Sequence, residues 1–199
     1  MPRTGRPRGF DPEAALARAR DVFWSRGYAA TSVQDLVDAL SLQRGSLYAA
    51  FGDKRALYLK AVRLYDTENR SRLAELLDED PVLPVLRRML TRPATLIGAQ
   101  RAGEERRGCL VGNTTAELVP ADQEAGALVA AAYDGFVDVV SDALRRAQAT
   151  GEVTTATTPE AQAQLILLLF QGSALVSRAE TNQERLDAAV DAALESLQS

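Results

Sequence analysis

The sequence predicts an all-α protein in two parts: a small three-helix unit containing a helix-turn-helix over residues 1–60, and a larger helical part over 61–199. Three observations predict it. Apolar residues recur at three- and four-residue spacing along most of the chain, without convincing period-2 alternation. Capping residues mark helix starts at Asp11-Pro12-Glu13, Thr31-Ser32 and Thr158-Pro159-Glu160, and Gly27 and Gly52 mark breaks. Charge divides the same way. Residues 1–60 carry 10 Lys/Arg and 6 Asp/Glu, a net of +4, whereas residues 61–199 carry 13 and 21, a net of −8.

Taken in order, residues 1–9 hold three Arg, two Gly and two Pro and read as a flexible basic arm. The first helix starts with Asp11 as cap and Pro12 in the first turn, and presents Ala15, Leu16, Ala19, Val22 and Phe23 at helical spacing. The second opens at Thr31-Ser32; Thr31 with Gln34 matches a capping box, and Ser32 is an equally good cap. Its apolar face is Val33, Leu36, Val37 and Leu40. The turn Ser41-Leu42-Gln43 leads to a third helix, Arg44 to Phe51. Gly52-Asp53 then breaks and recaps the chain before a long fourth helix, Lys54 to Leu77. Further helices are expected over Pro81–Gln100 (split or kinked at Pro93), Cys109–Leu118, Ala121–Thr150, Thr158–Arg178 and from Thr181-Asn182 almost to Ser199. Gly103–Gly108 and Gly151–Thr157 read as loops.

Composition excludes several classes. Hydrophobic residues make up 46% of the chain, enough for a core. The longest apolar run, Leu165–Phe170, is far short of a membrane span, and no signal peptide is expected after the basic start. The single cysteine, Cys109, allows no intramolecular disulfide and points to a reducing cytoplasm. With no histidine, one cysteine, no Gly-rich phosphate loop and no GxSxG, neither a metal site, a cofactor nor a catalytic constellation is expected.

Residues 32–51 carry the informative pattern. Two short helices joined by a tight turn suit a major groove, where the first residues of the second helix reach base edges. Val33, Leu36, Val37, Leu42, Leu47 and Phe51 can pack the pair together. Gln43, Arg44, Gly45, Ser46, Tyr48 and Ala49 then face outward. Arg44 can hold a guanine edge or a phosphate, Gly45 lets backbone approach DNA, and Ser46 and Tyr48 offer hydroxyls. Lys54, at the start of the fourth helix, suits a phosphate. Periodicity alone fits a plain helical hairpin equally well.

Exact spacing adds to this reading. Gly27-Tyr28-Ala29-Ala30-Thr31-Ser32-Val33, Gly45-Ser46-Leu47-Tyr48 and Phe51-Gly52-Asp53-Lys54-Arg55-Ala56-Leu57 closely resemble the DNA-binding domain of the tetracycline-repressor (TetR) family, over residues 8–62. The resemblance implies an all-helical homodimer bound to double-stranded operator DNA. The larger domain would bind a small-molecule effector and dimerise through its last two helices. It also implies that Arg44, Gly45, Ser46 and Tyr48 contact DNA and that Thr31 and Lys54 contact its phosphates. Ser41 departs from the glycine usual in the turn. Ala49 and Ala50 stand where tyrosine and histidine are common, which narrows what this helix can read. The usual outcome in the family is repression relieved by a ligand.

The segment Arg107–Leu118 resembles one in a branch of the same family. Cys109 lies near a helix start after Arg106 and Arg107, features that favour a thiolate sensing oxidants or electrophiles; it can equally be a small buried hydrophobe. Tyr58, Tyr65, Tyr133, Phe136 and Phe170 read mostly as core of the acidic part. Candidate ligand residues are Cys109, Asn113, Tyr133, Phe136 and Gln171. Trp24 reads as packing of the small unit. Ala161, Leu165, Leu168, Leu169, Gly172, Leu175 and Val176 share one face of the penultimate helix. Leu186, Ala189, Val190, Ala193, Leu194 and Leu197 share one of the last. Either stripe suits an intrachain core or a two-fold pairing; the resemblance favours pairing.

Overall fold

The structure, a computed structural model, describes residues 10–93, 107–179 and 182–198. The basic arm with Arg3, Arg6 and Arg8, residues 94–106 and Thr181 lie outside the described residues. Among those described the chain forms α1 (Pro12–Arg26), α2 (Val33–Leu40), α3 (Arg44–Phe51), α4 (Lys54–Leu77), α5 (Val82–Thr91), α6 (Leu110–Leu118), α7 (Gln123–Thr150), α8 (Pro159–Val176) and α9 (Gln183–Glu195). An isolated bridge pairs Val153 with Gln198. No helix among the described residues is long and apolar enough to cross a membrane. The chain divides into two compact units, Met1–Leu64 and Tyr65–Ser199, with α4 running through the division.

In the first unit, Asp11 caps α1 by accepting from the Glu13 amide at 2.9 Å, and Gly27, at φ 85°, ends it. Ala15, Ala19, Phe23 and Trp24 form the buried stripe. The cap of α2 is Ser32, which accepts from the Asp35 amide at 3.1 Å while Asp35 accepts from the Ser32 amide at 2.8 Å. Thr31 and Gln34 do not form the box. Thr31 is fully buried, and its hydroxyl donates to the Gly27 carbonyl at 2.7 Å. Ser41 takes the left-handed conformation (φ 53°) that glycine adopts without strain. Tyr58 belongs to this core rather than to the acidic part: its ring meets Phe23 edge-on at 4.9 Å and Tyr28 at 4.8 Å.

In the second unit α7 packs along α8, with α6 against α7 and α9 against α5. Helix α5 ends at Thr91, because Arg92 precedes a proline and leaves the helical conformation (φ −134°, ψ 73°). Its N-terminus has no local side-chain cap. Glu152 supplies one from 70 residues away, accepting from the Val82 and Leu83 amides at 3.0 and 2.6 Å. Arg146 donates to the Leu77 carbonyl at 2.7 Å and caps the end of α4. The loop after α7 is held by Gln148, whose amide donates to the Thr154 and Thr157 carbonyls.

Candidate nucleic-acid interface and cavity

Helix α3 is anchored by two buried side chains, Leu47 and Phe51, which with Leu36 and Leu40 of α2 form the inner side of the motif. Gln43, Arg44, Gly45, Ser46, Tyr48 and Ala49 are exposed, Tyr48 at 41%. A Cβ added to Gly45 would meet nothing within 4 Å. Thus the fold sets no steric demand for glycine there, although glycine weakens a helix relative to alanine. Among the described residues of the unit nothing accounts for Gly45; a surface approaching from outside would.

The flanking positions differ. Lys54 sits half-buried with its ammonium 4.4 Å from the centre of the Tyr28 ring, and the Asp53 carboxylate caps α4 through the Ala56 amide at 2.7 Å. Thr31 presents no side-chain atom at the surface, so the phosphate contact read from its sequence position has no hydroxyl available there; the exposed residue is its neighbour Ser32. Asp35 accepts from Ser32 through both side chain and backbone and pairs with Arg26. These contacts hold its carboxyl down at about 2, against the ordinary 3.8.

In the second unit, four of the five candidate ligand residues line one cavity. Cys109, Tyr133, Phe136 and Gln171 surround a space of about 40 Å³, with Phe136 stacked on Phe170 at 5.4 Å. The missing wall comes from α4: Tyr65, Asp66, Asn69 and Arg70. Their only sequence signal is an i, i+4 acid–base pair on a helix, which reads as a solvated face. Arg70 pairs with Asp66 at 2.9 Å and lies against Gly135, where a Cβ would come within 2.5 Å of the guanidinium. Burial raises the Asp66 carboxyl and, with Cys109 nearby, the Tyr65 hydroxyl. Asn113 lies outside this cavity, in a second cleft.

Cys109 is the residue preceding α6 and is buried, at 7% exposure. Its sulfur accepts from the Gln171 amide at 3.7 Å. Tyr133 shares a hydrogen bond with Thr115 at 2.8 Å. On α8 the face carrying Ala161, Leu165, Leu168, Gly172, Leu175 and Val176 is the exposed one, with Leu168 at 69% and Leu175 at 66%. The unit's own core takes the other side, through Gln162, Ala163, Ile166, Leu167, Phe170 and Ala174. The stripe on α9 divides differently: Val190, Leu194 and Leu197 are buried within the chain, and Ala189 is exposed.

Comparison with known proteins agrees with this architecture. Residues 15–61 match the model of the bacterial regulatory proteins of the tetR family, and residues 86–193 match the tetracyclin repressor-like C-terminal domain. The chain belongs to this family and is a DNA-binding transcriptional regulator. It is similar to the transcriptional regulator AcuR of Cereibacter sphaeroides, 30% identical over 192 residues, covering 93% of this chain and 86% of that protein. It is also similar to the HTH-type transcriptional repressor DhaR of a Mycobacterium species, 26% identical over 182 residues, 92% of this chain and 89% of that one. Among solved structures, it resembles a cysteine mutant of the TetR family regulator CifR complexed with 26-bp double-strand operator DNA. That likeness has 31% identity and a TM-score of 0.76, and covers 97% of this chain and all of the other.

Proposed function

We propose that the protein is a homodimeric cytoplasmic repressor, without enzymatic activity, that leaves its operator when a small molecule enters the second unit. Residues 1–60 act as the DNA-binding domain and 61–199 as the effector-binding and dimerisation domain. Gln43, Arg44, Gly45, Ser46 and Tyr48 meet the major groove, and Lys54 meets a phosphate. The observation that carries the DNA reading is Gly45, a glycine in the first turn of α3 with open space before it among exposed polar neighbours. Pairing through α8 accounts for Leu165, Leu168, Leu175 and Val176, which are exposed large hydrophobics.

The cavity supports the effector reading by its lining, aromatic and apolar side chains with a few polar groups. A space of about 40 Å³ is far below the several hundred usual for a ligand pocket, so an occupant must displace its walls. One wall is α4, a single continuous helix from Lys54 to Leu77. Displacement of Tyr65, Asn69 or Arg70 is thereby coupled to the helix that follows α3, and in a dimer to the separation of the two recognition helices. Linkage requires that the ligand weaken DNA binding as much as DNA weakens ligand binding. Sensing through Cys109 is less well served, because its side chain is largely buried and its sulfur accepts from Gln171, the setting of a packing residue. Recovery of bound fragments from genomic DNA tests the proposal: a shared, roughly palindromic sequence is expected, and fragments recovered without any common sequence would refute it.

A further inference from the structure

Beside the aromatic cavity lies a second space, a cleft of about 260 Å³ between α6 and the end of α8. Cys109, Tyr133 and Gln171 line both spaces and form the partition between them. The rest of the cleft is apolar or neutral, with Ala116, Ala174 and Leu175 among its walls, except for one residue. Among the described residues Arg178 is the sole charge lining it, in a part of the chain that carries 13 Lys/Arg and 21 Asp/Glu.

Two contacts fix Arg178 in place, and neither neutralises it. Its stem lies against Gly108, where a Cβ would sit 3.0 Å from the Arg178 Cδ. Its Nη1 donates to the Asn113 side-chain oxygen at 3.1 Å, and Asn113 is itself held by donating to the Arg107 carbonyl at 3.0 Å. A guanidinium has five N–H donors in a planar fork. The bond to Asn113 uses one of them, leaving Arg178 a positioned cation on a cleft whose other described walls are uncharged. The partition is itself built on a close approach: a Cβ on Gly112 would come within 2.5 Å of the Gln171 side-chain oxygen.

We propose that this cleft binds the carboxylate of a small organic acid. Arg178 receives the carboxylate as a fork, and the carbon chain lies along Ala116 and Ala174 toward Cys109 and Gln171. A monocarboxylate suits the site better than a phosphate, because its single charge matches one guanidinium and its body matches apolar walls. This deepens the effector reading and rests on it only for the step from binding to DNA release.

The test is calorimetric titration of the full-length protein with acetate, butyrate, hexanoate and benzoate, and with the corresponding neutral amides. At least one acid is expected to bind once per chain, with affinity rising roughly fourfold per buried methylene along the straight chains. The matching amide should bind roughly ten- to hundredfold more weakly. Arg178→Gln should remove that preference, and Arg178→Lys should keep part of it; both changes fall on an exposed side chain. No saturable binding of any of the four acids overturns the assignment. So does an affinity unchanged by Arg178→Gln, or equal binding of acid and amide. Operator release is read separately. An acid that binds through Arg178 but leaves the protein on DNA sustains the cleft assignment and refutes the effector reading. Release by amides as readily as by acids does the reverse.

Discussion

Replacing Gly45 by alanine should separate stability from function. In α3 a Cβ at this position meets no atom within 4 Å, so the added methyl creates no clash inside the protein. The helix gains from the lower backbone entropy of the unfolded alanine chain, worth about 0.5–1 kcal/mol. Urea unfolding should therefore show Gly45→Ala to be the more stable protein by about that amount. If α3 lies in the major groove with Gly45 against DNA, the same methyl must displace a close contact. Overpacking of a well-fitted surface costs about 1–3 kcal/mol, or roughly 5- to 150-fold in affinity. Gel-shift titration of the recovered operator at fixed salt measures it. A variant that is more stable and binds as tightly as wild type would show that Gly45 does not face DNA. A less stable variant would show that the space before it is not open.

Three further predictions test other parts of the account. Leu168 and Leu175 are about two-thirds exposed, and burying that much of a leucine is worth about 1–2 kcal/mol each, counted on both protomers. Leu168→Glu with Leu175→Glu should therefore raise the dimer dissociation constant by at least about a thousandfold, as read by analytical ultracentrifugation, and an unchanged dimer would place the interface elsewhere. Glu152→Ala removes the acceptor of the Val82 and Leu83 amides and should cost about 1–2 kcal/mol of stability, with Glu152→Gln keeping part of it; a neutral result would mean that water caps α5 as well as the carboxylate does. The Asp35 carboxyl is held at about 2, below the ordinary 3.8, so its folded form is the more acidic. Its contribution is fully present above about pH 4 and is lost as pH falls from there through 2. The stability difference between wild type and Asp35→Asn should shrink over that window, and a constant difference would contradict the assignment.

The helices of the first unit were legible because the chain punctuates itself. Gly52-Asp53 marks both the end of α3 at Phe51 and the start of α4 at Lys54, where the structure puts them. The cap of α2 was not decidable, since Thr31/Gln34 and Ser32/Asp35 offer the same chemistry one residue apart. Packing decides it: the Thr31 hydroxyl reaches the Gly27 carbonyl, which leaves the cap to Ser32. Helix α8 posed the opposite difficulty, being apolar on nearly all sides. Periodicity found a stripe, but only the position of Phe170 and Ile166 in the core shows that this stripe faces out. The α4 wall of the cavity stayed hidden because Asp66 and Arg70 look like a surface pair. The Glu152 cap and the Arg178 cleft join residues far apart in sequence, which no local pattern records.

The central claim is that α3 reads operator DNA through its exposed first turns. Arg44 begins that helix, is exposed, and offers the charged fork there. Quantitative gel shift of the wild type and Arg44→Ala, on recovered operator and on unrelated duplex, measures the claim most directly. The variant should keep its thermal stability and lose operator affinity by about 1–3 kcal/mol, with a smaller loss on unrelated DNA. A folded variant that binds the operator as tightly as wild type would contradict the account.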